Sequence, residues 1–549
     1  MSRALKIIFL VVCVWLGFNS GAQTTAGSEL VLFTDRDYCI SGDTLWIKIY
    51  VPKELQQYGN IVRLQLESQT GNLIASRAVK CNNTHAEGFI AVPDSLQTGV
   101  YFVHAFFNAQ RNNGLLKCMG KSVYVYNRFE EEIDRLAVVE NKAAVVTPES
   151  ADSQIDINLE DQNYRRRDEV KGVINIGDDE FVYMVASAQI IEPFSHKNSG
   201  FINFGMKDRN PGIPEFVEKD GLLISGRLSN RATGDAASEL VLLTVTGNET
   251  YFDYYYPDST GQFHFFLGNA MGNANLILQP LPVSDKVFDI ELTPNFMSAV
   301  QQLKFDSIYV NPKQSEIIEN SIKGTFFNKL FSGVSISKDG AFEMPNPYGM
   351  PFYGRPDNHI VPDLFIDLPN FKEISRELLM GLQYRDRNDE VTFRMVNNTE
   401  DRFFDDEPLR LINGIPVFKN SFFLDLKSTD IASIDLVKHE RIFGDLRFNG
   451  VLFVSLKDKS NSWLAQQPNI FQLKVPCIEF PKQANYSPKA ENWTQPDTRK
   501  QFLNEVVDTK KDWPFSFQLS DVKGDLEIKV EAITKSGKIY KTSKIISVQ

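Results

Sequence analysis

Six histidines offer the first prospect of acid–base or metal chemistry: His85, His104, His196, His264, His359 and His439. No two are spaced as HxH or HxxxH, the separations that put two imidazoles on one face of a strand or helix for a metal. His439-Glu440 opens a zincin-like pattern, but Phe443 stands where the second ligand belongs, and the segment reads as a strand. No GxSxG elbow, phosphate-cradling glycine loop or calcium loop occurs. Two acidic runs, Asp178-Asp179-Glu180 and Asp405-Asp406-Glu407, have the residue types for paired-carboxylate glycoside hydrolysis. That reaction depends on a carboxyl separation that spacing along the chain does not set, and solvated acidic turns are the simpler expectation. Arg165-Arg166-Arg167 adjoins Asp168-Glu169, so local ion pairs on an exposed hairpin compete with any phosphate. No catalytic residue, cofactor or metal is expected.

Cysteine usage adds little chemistry. Cys13 lies in an apolar N-terminal run, and Cys39, Cys81, Cys118 and Cys477 follow with no CxxC pair, so neither a zinc ribbon nor a thioredoxin-type redox site is available. An oxidising compartment would favour Cys81 pairing with Cys118, both at strand edges; four small buried apolar residues is the equal alternative. One irregular stretch stands out. Residues 340–362 concentrate Met344, Tyr348, Met350, Phe352 and Tyr353 among glycines and prolines. Such a loop either packs on its own domain or offers Tyr348, Met350, Phe352 and Tyr353 as an adaptable docking surface.

The elements that must position these residues are mostly strands. Among 549 residues are 41 Phe and 18 Tyr, types that suit a pleated, half-buried surface. The length suggests roughly three to five domains. Residues 28–127 alternate apolar and polar in six or seven short runs between turn signals such as Ser41-Gly42-Asp43 and Thr70-Gly71-Asn72, a β-sandwich pattern. Residues 128–150 read as a linker, 151–210 as a second β unit, and 219–296 as a third. Apolar residues at helical spacing predict a helix over 314–331, followed by an irregular loop over 332–364. A second helix is predicted over 371–382, with Asn370 as N-cap and Glu373 three residues on. Strands at 391–396, 409–412, 433–439 and 451–456 make an α/β unit of that region, and 470–549 returns to strands. The fold class is thus mainly β, several sandwiches in series plus one α/β domain.

The N-terminus predicts export. Arg3 and Lys6 precede an apolar run over 7–18, and Ser20-Gly21-Ala22 supplies small residues before Gln23. This is the pattern of a cleaved signal peptide over 1–22, and the run is shorter than a membrane span. No later stretch is apolar enough to cross a bilayer as a helix. A formal net charge of -12 repels nucleic acid and anionic headgroups.

Several motifs carry resemblances. Thr34-Asp35-Arg36-Asp37-Tyr38, Ser41-Gly42-Asp43-Thr44-Leu45-Trp46, Gly88-Phe89, Pro93-Asp94-Ser95-Leu96 and Thr98-Gly99-Val100-Tyr101 resemble the macroglobulin-type sandwich of exported Bacteroidota proteins. There Gly42 would allow a tight turn, Asp43 would cap it, and Trp46 and Tyr101 would fill the core. The segment with Asp161, Tyr164, Arg167 and Val170 resembles another macroglobulin-type pair. Ile224-Ser225-Gly226-Arg227-Leu228 and Asp258-Ser259-Thr260-Gly261-Gln262-Phe263 resemble the carboxypeptidase-regulatory-like domain, a spacer or docking module. Residues 360–457 resemble the plug of TonB-dependent outer-membrane receptors: Leu411-Ile412-Asn413-Gly414-Ile415-Pro416-Val417, Ile431 to Lys438, Phe443-Gly444, and Asn449-Gly450-Val451-Leu452-Phe453-Val454 occur in the family's order, with Asn413 replacing its turn aspartate. About 90 residues follow, too few for the strands of such a receptor's barrel. Tyr486, Pro496-Asp497-Thr498-Arg499, Phe515-Ser516-Phe517 and Leu519-Ser520-Asp521 resemble a closing sandwich of the same group.

These resemblances imply a non-enzymatic protein of the periplasm, associated with the outer membrane. Its plug-like domain, marked by the motif residues Asn413, Gly414, Pro416, Gly444, Asn449 and Gly450, would dock with or occlude a separate outer-membrane β-barrel or translocon. A cell-surface glycan-binding or hydrolytic protein is the alternative. A macroglobulin-like protease-binding protein is a third, weakened by the absence of the Cys-Gly-Glu-Gln thioester motif.

Overall fold

A computed structural model describes residues 29–113, 115–130, 135–139, 145–146, 148–150, 154–177, 181–192, 201–207, 216–219, 221–247, 250–281, 286–294, 298–299, 305–332, 342–345, 349–387, 390–466, 469–486 and 496–549. The expected signal peptide over 1–22, His196, Tyr348 and the run Asp178-Asp179-Glu180 lie outside them. The fold is mostly β, in several sheets. Among the described residues no helix is long and apolar enough to cross a membrane. The chain forms two compact units. One takes residues up to 219, 295–337 and 481–549; the other takes 220–294 and 338–480.

In the first unit, strands Val31–Thr34, Thr44–Tyr50, His85–Ala91, Leu73–Asn82, Ile61–Glu67, Gly99–Phe107 and Leu115–Tyr126 lie side by side in that order. The first also meets the last, Val31 opposite Met119, so the sheet closes around its core. Period-two alternation does the packing: Leu45, Ile47 and Ile49 face Val62, Leu64, Leu66, Val103 and Phe107 inside. Asp43 accepts from the Ile40 amide at 3.1 Å and Gly42 holds φ +83°, as the turn motif requires. Tyr101 is in the core, whereas Trp46 is not. It lies on the odd-versus-even side opposite Leu45 and Ile47 and tilts against Phe89, ring centroids 5.3 Å apart.

The second sandwich of this unit corrects the expected domain series. Strand Phe181–Ile190 lies between Gly524–Thr534 and Gln501–Val506, and Glu169–Ile176 lies between Ile155–Leu159 and Trp513–Gln518. The segment 151–210 and the tail 470–549 are therefore not two units. They contribute hydrogen-bonded neighbouring strands to the same two sheets and share one core containing Ile157, Met184, Ile528 and Phe517. Strand Phe201–Lys207 leaves the segment to extend the first sheet beside Leu115–Tyr126. The expected linker over 128–150 also contributes pairing, Arg135–Val139 with Phe305–Tyr309. The helix expected over 314–331 runs Pro312–Ser332, with Asn311 and Gln314 bonded reciprocally as a capping box and Pro312 in the first turn.

The second unit begins with a small sandwich. Gly221–Asn230 lies between Gln262–Gly268 and Phe288–Leu292, facing a sheet of Tyr251–Tyr255, Val241–Thr246, Asn273–Pro280 and Phe471–Pro476. The last strand comes from the expected C-terminal sandwich, since the boundary falls after it rather than at 470. Asp258 accepts from the amides of Thr260 and Gln262, and Gly261 holds φ +80°, so the Asp-x-x-Gly turn forms as read.

Residues 358–456 form a sheet in the order Asn358–Ile360, Ile431–Val437, Val451–Leu456, Leu409–Ile412, Ile415–Pro416. Helix Phe371–Glu377 packs Phe371 and Ile374 onto Ile412, Ile434, Leu436, Leu452 and Val454, a mixed helix–strand core. Asn370 caps this helix, its Oδ1 accepting from the Glu373 amide at 3.0 Å. Asn370→Ala should therefore lower the unit's unfolding free energy by about 1 kcal/mol in denaturant titration. The helix ends at Glu377 instead of 382, because Gly381 at φ +96° turns the chain into strand Leu382–Arg387.

Candidate functional site

The plug-like motif residues come together, but around internal contacts of the second unit. Strands Leu409–Ile412 and Ile415–Pro416 are joined by Asn413 at φ +51° and Gly414 at φ +85°, a two-residue turn with both residues left-handed. Asn413 uses its whole amide. Oδ1 accepts from the Leu456 amide and Lys459 Nζ, while Nδ2 donates to the Asp458 carbonyl and Asn461. Two donors are needed, which an aspartate would not supply; this is the physical reason for asparagine here. Ile415 packs with Ile277 and Leu464, and the Pro416 carbonyl accepts from Gln279 at 3.0 Å, so the hairpin is docked on the small sandwich. A Cβ on Gly444 would overlap the Tyr254 hydroxyl, to which the Asp445 amide donates at 2.7 Å. Gly450 holds φ +82°, and a Cβ there would lie 2.5 Å from the Val437 carbonyl. Asn449 precedes it, half-buried. These positions shape turns within the fold.

The Gly/Pro-rich loop divides similarly. Phe352 stacks on Phe252 at 4.8 Å and meets Phe443. Tyr353 is buried among Leu411, Val437 and Val451, and its hydroxyl donates to Asp435 at 2.7 Å. Both side chains pack on their own unit. Met350 is half-exposed.

A different segment of the α/β domain faces outward. Leu364, Phe365 and Ile366 are 79, 52 and 79 % exposed. The segment is held at both ends: Pro362 is buried, and Leu368 exchanges hydrogen bonds with Ser428. Three consecutive apolar residues fit neither helical nor strand periodicity, and that run in a Pro/Asp-rich loop was the available signal. Sequence reasoning placed Leu364 at the end of an irregular loop and passed over the run.

The chemistry-bearing residues stay apart. Burial pushes His104 down to about 3, a neutral core histidine bonded to Gln65. His359 Nδ1 lies 2.6 Å from Asp435, directly across two paired strands, and among the described residues no hydroxyl nucleophile is bonded to it. His439 pairs with Asp357 at 3.1 Å. Glu407 bonds Arg410, Asn420 and the Phe393 amide, so the acidic run Asp405-Asp406-Glu407 anchors a turn. Arg167 of the basic triplet is bidentate to Asp521 at 2.6 and 2.7 Å. Buried Ser321 and Glu192 and part-buried Lys500 form a hydrogen-bonded group that ties helix Pro312–Ser332 to the second sandwich. Cys81 is a buried thiol whose Sγ donates to the Asn83 carbonyl, so the Cys81–Cys118 bridge is not made. Among the described residues no cluster of His, Cys, Asp and Glu could hold a metal. In the first unit Glu169 and Glu505 line one cavity of about 490 Å³. Both are exposed.

No family model and no characterised protein matches the chain in sequence. Among solved structures it is similar to a Salmonella alpha-2-macroglobulin, at 10% identity and TM-score 0.24, over 97% of this chain and 40% of that one. Trypsin-activated Escherichia coli alpha-2-macroglobulin gives 11% identity and TM-score 0.23, over 97% and 42%. Dimeric latent PorU from Porphyromonas gingivalis gives 9% identity and TM-score 0.15, over 48% and 33%. The chain thus spans about two fifths of the length of the macroglobulins it matches. Superpositions at these scores carry no argument about function.

Proposed function

We propose that this chain is a non-enzymatic interaction protein, exported to the periplasm, whose α/β domain docks with or occludes a separate outer-membrane β-barrel or secretion channel. The observation that carries the docking is the exposed run Leu364-Phe365-Ile366 on a domain whose other apolar residues largely form one packed core. Exposed contiguous apolar side chains held in one geometry are a site for a partner. The resemblance of residues 360–457 to a receptor plug supplies the kind of partner. The motif turns themselves are load points of the fold in this reading, and the neighbouring run makes the contact. The test is affinity purification from solubilised envelope of the unaltered chain and of Leu364→Asp/Ile366→Asp. The unaltered chain should bring down a barrel protein, and the double variant should lose it by about tenfold or more with an unchanged melting temperature. Recovery of the unaltered chain with no barrel, or equal recovery by the variant, would overturn the proposal.

A further inference from the structure

The sequence contains Asn-Gly three times, at Asn113-Gly114, Asn413-Gly414 and Asn449-Gly450. This dipeptide is open to spontaneous ring closure, because glycine has no Cβ to crowd its nitrogen as the asparagine side chain approaches it. Gly114 lies outside the described residues. The other two pairs belong to the α/β domain and are held very differently. Asn413 sits at φ +51° in a hairpin turn, and its side-chain amide is bonded to Leu456, Lys459, Asp458 and Asn461. Asn449 is half-buried, and among the described residues its side chain makes no hydrogen bond. The Gly450 amide likewise donates to no described group, while the Gly450 carbonyl accepts from the Leu409 amide at 3.0 Å. Electrophile and nucleophile are thus both unbonded at 449–450, and the electrophile is fastened at 413–414.

We propose that Asn449 is a site of spontaneous deamidation in the folded chain and that Asn413 is protected from it. The Gly450 nitrogen bonds to Cγ of Asn449, the bond from Cγ to the side-chain nitrogen breaks, and that nitrogen leaves as ammonia with the proton of the Gly450 amide. The resulting five-membered imide then takes up one water. Opening at Cγ gives aspartate; opening at the main-chain carbonyl gives isoaspartate. Nothing is oxidised or reduced. Either product places a new carboxylate beside Gly450. Isoaspartate also lengthens the main chain by one methylene just before strand Val451–Leu456, which lies between Ile431–Val437 and Leu409–Ile412 at the middle of its sheet.

Peptide mapping of the full chain tests this after incubation at mildly alkaline pH, once folded and once in concentrated urea. Mass spectrometry follows the amide-to-acid mass gain at each site, and isoaspartyl methyltransferase with labelled S-adenosylmethionine marks the isoaspartate. In urea the two sites should convert at similar rates, since each asparagine follows a bulky apolar residue, Ile412 or Phe448. In the folded chain Asn449 should convert about tenfold or more faster than Asn413, whose amide must first give up several hydrogen bonds. Asn449→Gln should abolish the mass gain in its peptide, because closure would then need a six-membered ring. Equal rates at the two sites in the folded chain, or conversion of Asn449 in urea alone, would overturn the proposal.

Discussion

Lys529→Met is expected to destabilise the first unit by about 3–5 kcal/mol, the cost of leaving a buried charge without its partner. Lys529 Nζ lies 3.4 Å from both oxygens of Asp37 and 3.6 Å from Glu531, and Glu531 in turn takes Lys121 at 2.8 Å. All four side chains are buried. They link the opening motif of the first sandwich, Asp35-Arg36-Asp37, to strand Gly524–Thr534 of the second. With Lys529 removed, Glu531 keeps Lys121, whereas among the described residues the Asp37 carboxylate is left with the Gln189 amide at 3.3 Å and the more distant charges of Lys121 and Lys541. Denaturant titration of each variant measures the loss. Lys529→Met/Asp37→Leu should recover most of it, because an apolar pair of similar volume replaces a desolvated ion pair at little cost. A loss below about 1 kcal/mol for the single variant would mean that the charges are solvated. The same cluster sets an acid response. Burial alone would raise the Asp37 carboxyl, but Lys529 and Lys121 outweigh it and hold the group at about 2, below its ordinary 3.8. A carboxyl depressed on folding contributes stability in full above the unfolded value. That contribution, about 2 kcal/mol, should fade as pH falls from about 4 through about 2. Lys529→Met should shrink this part of the acid dependence, since Lys121 remains.

Gly414→Ala is expected to cost the second unit about 2–4 kcal/mol. Alanine at φ +85° carries a left-handed penalty of about 1–2 kcal/mol. Its Cβ would overlap the Thr250 hydroxyl and lie 2.6 Å from its Cγ2, and such overpacking costs about 1–3 kcal/mol. Trp463 is a natural reporter, since it packs beside the Ile277, Ile415 and Leu464 cluster and against Phe422 at 5.4 Å. Its fluorescence transition in denaturant should shift to lower concentration. Thr250→Gly in the same chain should return the overlap part and leave the backbone part. This separates misfolding from lost docking: a Gly414 variant that no longer binds a partner reports on the fold, while the Leu364 and Ile366 variants report on the contact. An unshifted Trp463 transition would mean that the hairpin is not locked on the sandwich, and would return it to the list of contact surfaces.

Local chemistry was legible residue by residue. Alternation marked Leu45, Ile47 and Ile49 as one inward face. Asn370 with Glu373, Asp43 closing its turn, and the Asp258 to Gly261 turn each name their own backbone partners within a few positions, so short-range sequence suffices. The order of the motifs in 360–457 pointed to a region with both helices and strands, and that mixed core is present. The docking candidates were harder. Asn413, Gly414, Pro416 and Tyr353 stood out because their backbone or packing demands are unusual, and those demands prove to be met inside the unit.

By itself the sequence determined the β character, the turns, the helix starts and the absence of the common catalytic motifs, because these depend on residues less than about a dozen apart. Only the tertiary structure decided that Phe181–Ile190 finds its mate in Gly524–Thr534, that Asp37 is neutralised by Lys529, and that Leu364-Phe365-Ile366 is left uncovered. Every apolar strand face shows the same period of two, so the pattern states that a face must be covered without stating by what. The choice among mates is made by shape and charge when the whole chain is packed, and exposure is what remains once that choice has been made.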